Sequence, residues 1–147
     1  MEDLICSFFG HREIDITKEL QNSLISTVMQ LIEKGFNNFY FGGFGEFDNL
    51  CYAIVTNLQQ QYPNIKRTFC YVDKRWQREP KRPSWLTKNN YEEIIYLQPS
   101  FDYWYQQIYY RNCAMIDNSQ YVVFYVENSE NSGAYKAMQY AIKPKNN

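Results

Sequence analysis

The chain is predicted to fold as a doubly wound α/β domain: a Rossmann-like, mainly parallel five-stranded sheet with helices on both faces. Three observations predict it. Short apolar runs rich in aromatic and β-branched residues recur along the chain, as buried strands do. Segments with apolar residues at helical spacing separate most of these runs, and that alternation marks βαβ units. Glycine, serine and charged residues collect where the predicted strands end, the place where such sheets bind ligands. With 147 residues the chain reads as a single domain, 1–147, long enough for a real core.

Strand one is Leu4 to Phe9, stopping at Gly10-His11-Arg12, which holds the only histidine. Helix one runs from Thr17 to Lys34, with Leu20, Leu24, Ile25, Val28, Leu31 and Ile32 repeating at helical spacing. Asp15 or Thr17 can cap its start, and Gly35 sits where a C′ glycine belongs. Strand two is Asn38 to Phe41. Helix two, Asp48 to Gln61, carries Leu50, Ile54, Val55 and Leu58 on one face and closes before Pro63. Strand three is Ile65 to Val72. The next segment, 73–90, is basic and contains Trp76 and Trp85. A connection this long is functional or disordered. It is either a solvated insertion or a lid whose cations meet an anionic ligand and whose Trp76 or Trp85 stacks on a base. Strand four falls within Tyr91 to Leu97. Ser100 can cap helix three, which reaches about Asn118 with Phe101, Trp104, Tyr105, Ile108, Met115 and Ile116 in its apolar phase. That phase includes Arg111 and Asn112, so Arg111 is either salt-bridged or directed into a cleft. Strand five, Tyr121 to Val126, reads as the most clearly buried strand. Helix four follows a Ser132 cap, carries Ala134, Ala137, Met138 and Ala141, and stops before Pro144.

Phe39 to Asp48 concentrates the chemistry. Gly42, Gly43 and Gly45 permit positive φ and let backbone approach a ligand. A glycine turn entering a helix offers unpaired N–H groups and a positive dipole end to an anion. The pattern is neither GxGxxG nor a P-loop. Glu46 and Asp48 stand where a P-loop has cations; they suit ribose hydroxyls or chemistry at a sugar carbon. The candidate ligand-binding residues are Gly10, His11 and Arg12 after strand one, Gly42, Gly43, Phe44, Gly45 and Glu46 after strand two, Arg111 and Asn112 on helix three, and Ser132 and Gly133 before helix four. The catalytic candidates are Glu46 and Asp48.

Composition narrows the partners. A net charge of −1 supplies no global field for nucleic acid or an anionic membrane. No apolar run approaches the roughly 20 residues of a membrane span. Met1-Glu2-Asp3 lacks the basic and apolar regions of a signal peptide, which predicts a cytoplasmic protein. Cys6, Cys51, Cys70 and Cys113 are widely spaced with no CxxC pair, so they are expected to be reduced core thiols with no metal site, and no cofactor is expected. An aromatic content of 18% is high; most of these rings are expected in the core, and part of the excess is available to a pocket or an interface.

Four stretches together resemble the SLOG superfamily, in particular its small standalone bacterial and phage members. They are Ser7-Phe-Phe-Gly-His-Arg12, the Gly42-Gly-Phe-Gly-Glu-Phe-Asp48 turn, Arg111-Asn112 with Met115-Ile116-Asp117, and Ser132-Gly-Ala-Tyr-Lys-Ala137. The resemblance covers nearly the whole chain in the right order. It implies a Rossmann-like fold binding a nucleotide-derived ligand, such as an ADP-ribose-like or cyclic nucleotide signal, at the strand ends, with roles in signalling or phage defence. By analogy with the related Lonely-Guy phosphoribohydrolases it also implies a homodimer. That enzymatic branch uses a PGGxGTxxE motif. Gly42, Gly43 and Gly45 match its glycines, but Phe41 replaces the proline, Glu46 the threonine and Asn49 the catalytic glutamate, with Asp48 one residue early. The departure weighs against hydrolysis and leaves ligand binding intact. Three functions therefore stand: a sensor or sequestering protein for a nucleotide derivative; an N-glycoside hydrolase or transferase using Glu46 or Asp48; and an interaction protein with a vestigial site.

Overall fold

The computed structural model describes residues 2–43, 45–97, 103–127 and 132–144. Its regular elements are β1 Ile5–Gly10, α1 Lys18–Glu33, β2 Asn38–Phe41, α2 Glu46–Leu58, β3 Lys66–Cys70, β4 Glu93–Ile95, α3 Gln107–Asp117, β5 Tyr121–Tyr125 and α4 Gly133–Ile142. All strand pairings are parallel, in the order β4-β3-β2-β1-β5. The chain steps outward from β1 to β4, then returns to the other side of β1. The strand order therefore reverses between β1 and β5.

Strand alternation divides the core in two. Cys6, Phe8, Phe39, Phe41 and Phe69 face one side and meet Leu24, Val28 and Leu31 of α1 and Phe47, Cys51, Ile54 and Val55 of α2. Phe9, Tyr40 and Cys70 face the other and meet Met115 and Ile116 of α3 and Ala137 of α4. Helices thus cover both faces, as a parallel sheet requires. Thr17, not Asp15, caps α1: its Oγ1 accepts from Leu20 N at 3.1 Å. Gly35 at φ +102° ends it, with Phe36 N donating to Leu31 O and Gly35 N to Ile32 O, both at 2.9 Å. Ser132 caps α4, its Oγ accepting from Tyr135 N at 3.0 Å.

Several boundaries differ from expectation. α2 begins at Glu46 with Gly45 as its N-cap, so Asp48 lies inside the first turn, and it ends at Leu58 in tight turns ahead of Pro63. α3 begins only at Gln107, after a 3-10 turn over Trp104–Gln106. A 3-10 turn advances by three residues rather than 3.6, which breaks the predicted phase. Trp104 and Tyr105 are consequently 76% and 64% exposed instead of inward. Ser100 and Phe101 lie outside the described residues. β5 is half-exposed rather than buried, because it pairs only with β1 at the edge of the sheet.

The basic segment is anchored rather than loose. It contains 3-10 turns at Lys74–Gln77 and Glu79–Lys81, and Leu86 enters the core. Arg67 of β3 holds its far end. Its Nη2 bonds Glu92 Oε2 at 2.7 Å and Asn89 O at 3.2 Å, and its Nη1 donates to Tyr52 Oη at 3.1 Å and Thr56 Oγ1 at 3.2 Å.

Candidate functional site

A cleft of about 390 Å³ opens at the carboxyl ends of β1 and β2, beside the point where the strand order reverses. That volume suits a small-molecule ligand. Phe8, Phe9 and Gly10 of β1 line it, with His11 and Arg12 just beyond. Gly42 follows β2, and Asp48 reaches it from α2. α3 contributes Ile108, Arg111 and Asn112; the start of α4 contributes Ser132, Gly133 and Ala134.

Arg111 is 4% exposed. Its Nη1 donates to Gly42 O and to Cys70 O, each at 3.2 Å, and its Nε donates to Asn112 Oδ1 at 3.0 Å. It therefore ties together the ends of β2 and β3. Burial pushes its pKa down, against the fields of Cys70 and Asp48. Its guanidinium also explains Gly42: a Cβ there would lie 2.8 Å from Arg111 Cζ.

Asn112 is 7% exposed. A guanidinium only donates, so the atom facing Arg111 Nε must be the amide oxygen. The Asn112 NH₂ has no hydrogen-bond partner among the described residues, although the residue lines the cleft. A buried amide donor beside a cleft is suited to an acceptor that enters the cleft.

The two helix N-termini near the cleft differ in charge. α2 carries Glu46 and Asp48 in its first turn, which offset its dipole. α4 has no acid in its first turn. At its start Gly133 has ordinary φ, and an added Cβ would meet nothing within 4 Å. His11 fastens the neighbourhood, since its Nε2 accepts from Glu127 N at 2.8 Å, tying the loop after β1 to the end of β5. Neutral His11 must then carry its proton on Nδ1.

Of the residues singled out in the sequence, Gly10, His11, Arg12, Gly42, Asp48, Arg111, Asn112, Ser132 and Gly133 line this cleft. Gly43, Gly45 and Glu46 do not. Gly43, at φ +80°, packs against Phe69, where a Cβ would lie 2.3 Å from Cε2; Gly45, at φ +98°, packs against Arg12 Cα. Glu46 is exposed, and its N donates to Arg12 O at 2.8 Å. Phe44 lies outside the described residues. Sequence reasoning missed Phe8, Phe9 and Ala134 as lining residues; they read simply as core. It treated Ile108 only as part of an apolar helix face. Among the described residues no group of His, Cys, Asp and Glu could hold a metal ion, and the four cysteines are buried thiols outside any disulfide. No helix among them is long and apolar enough to cross a membrane.

No known family model matches the chain, and a comparison with curated proteins finds no match.

Proposed function

We propose that the protein is a SLOG-like module that binds a nucleotide-derived ligand, ADP-ribose-like or cyclic, as a sensor or sequestering protein. The observation that carries this reading is the buried, unpartnered Asn112 NH₂ in a cleft that also receives an acid-free helix N-terminus. Together they suit an anionic oxygen, with the α4 backbone N–H groups completing its shell. Arg12 lines the same cleft and supplies a cation. The phosphate is thus assigned to α4 rather than to α2, whose acids repel it. Arg111 supports the site by holding the strand ends.

A second reading, N-glycoside hydrolysis or transfer, rests on Asp48 alone, because it lines the cleft and Glu46 does not. Removing an acting acid or base costs ~100- to 10,000-fold in rate. The experiment is mass spectrometry of small molecules released from purified, denatured protein, followed by calorimetry of the identified nucleotide with wild type and Gly133→Val. That variant has room for its side chain, so it should fold normally and lose affinity; equal affinity removes the α4 site. Chromatography of the nucleotide after long incubation with wild type and Asp48→Asn decides the chemistry. Intact nucleotide with wild type supports binding alone.

A further inference from the structure

A second hollow, of about 250 Å³, lies on the other side of the glycine turn. Tyr52, Tyr91 and Trp85 form its walls, and Asp48, Asn49 and Asn90 its polar edge. The rings are fixed by their neighbours. Tyr52 and Tyr91 have centroids 5.1 Å apart, Phe69 meets Trp85 edge-on at 5.3 Å and Tyr91 at 5.1 Å, and Asn90 Nδ2 donates to Trp85 O at 2.6 Å. Trp85 is nevertheless 45% exposed. An indole held in place with so much of its surface open is a platform for another planar ring.

The polar edge indicates which ring. A carboxylate beside two amide side chains accepts from N–H donors. An organic cation would also be drawn to a carboxylate, but the flanking segment 73–88 carries six Lys and Arg against two Asp and Glu, and that field opposes a cation. A neutral, amino-bearing heteroaromatic meets both conditions. Asp48 lines this hollow and the first cleft alike, so the two are neighbours across the turn.

We infer that the hollow between Trp85, Tyr52 and Tyr91 is a base subsite, taking the amino-bearing base of a nucleotide whose phosphate lies in the first cleft. The base stacks on Trp85, and its exocyclic amino group donates to Asp48. This inference rests on the nucleotide-binding reading above. It selects Trp85 over Trp76, whose ring is turned into contacts with Tyr71 and Trp85.

The test is titration of AMP and adenosine into wild type, Trp85→Ala, Trp85→Phe and Gly133→Val, by calorimetry and tryptophan fluorescence, with melting temperatures in parallel. Wild type should bind AMP with quenching of indole emission. Trp85→Ala should weaken AMP and adenosine about 10-fold or more. Trp85→Phe keeps a ring against Phe69, so it should fold and bind while the ligand-induced quenching disappears. Gly133→Val should weaken AMP and leave adenosine unchanged. AMP binding that persists at full strength in Trp85→Ala, or quenching that survives in Trp85→Phe, overturns the base subsite and leaves nucleotide binding standing. If neither AMP nor adenosine binds wild type, the subsite is overturned; release of a different nucleotide by the denatured protein would still support the nucleotide reading.

Discussion

Three glycines in four residues suggest a backbone cleared for a ligand, yet each is required by a protein neighbour: Arg111 over Gly42, Phe69 over Gly43 and Arg12 over Gly45. Gly43 and Gly45 also hold positive φ, which a β-branched side chain adopts only at a cost. Gly43→Val and Gly45→Val should each lower unfolding free energy by at least ~2 kcal/mol, from backbone strain plus overlap. Urea denaturation checks this, and a stability equal to wild type would mean the turn is slack. Arg111 is the complementary case. Arg111→Met keeps the length but leaves the carbonyls of Gly42 and Cys70 and the amide oxygen of Asn112 without their donor. A loss of about 2–4 kcal/mol is expected in the same assay. An unchanged midpoint would show that Arg111 holds nothing together.

At the scale of elements, β3 and β4 depend on an ion pair that no periodicity signals. Arg67 Nη2 and Glu92 Oε2 lie 2.7 Å apart, with the arginine side chain almost buried and the glutamate a third exposed. Burial would raise the Glu92 pKa, but bonds from the Arg67 side chain and backbone and from Gln59 outweigh it, and the net shift is downward. A carboxylate with a lowered native pKa stabilises the fold above its ordinary value of 4.5, and that contribution fades as pH falls through the native value. Glu92→Gln should therefore cost roughly 1–3 kcal/mol at neutral pH and progressively less in acid. Melting curves from pH 7 down to about 2.5 check the convergence. A constant gap between variant and wild type across that range would contradict it. The α3 start belongs to this scale too, since one 3-10 turn moved Trp104 and Tyr105 from the predicted interior to the surface.

For the whole molecule, those displaced rings form an exposed aromatic run, Tyr103 to Tyr105 with Ile108 and Tyr109, of a kind that marks interaction sites. The homodimer that the SLOG resemblance implies would cover it. Light scattering should give a dimer mass that Trp104→Lys halves; a monomer mass for wild type at all concentrations would sink self-association. Periodicity and capping are local physics, so the chain's pattern was enough for the α/β class, the order of the nine main elements and the Ser132 cap, while the α1 cap stayed open between Asp15 and Thr17 until the structure chose Thr17. The sequence also placed nine of the cleft residues at strand ends or on α3, because βαβ topology sends those ends to one edge. It misjudged β5, since burial of a strand depends on whether a neighbour flanks it, and β5 is an edge. It did not reveal that Arg111, Phe69 and Arg12 stand against the three glycines of the turn, because a positive φ and a missing Cβ look the same in sequence whether a ligand or a side chain occupies the space. Only tertiary structure decided that Arg111 grips two strand ends, that Asn112 is left with an unspent donor, and that Trp85 meets Tyr52 and Tyr91 around a hollow. Each of these joins residues far apart in the chain, and long-range packing is the one thing a local pattern does not carry.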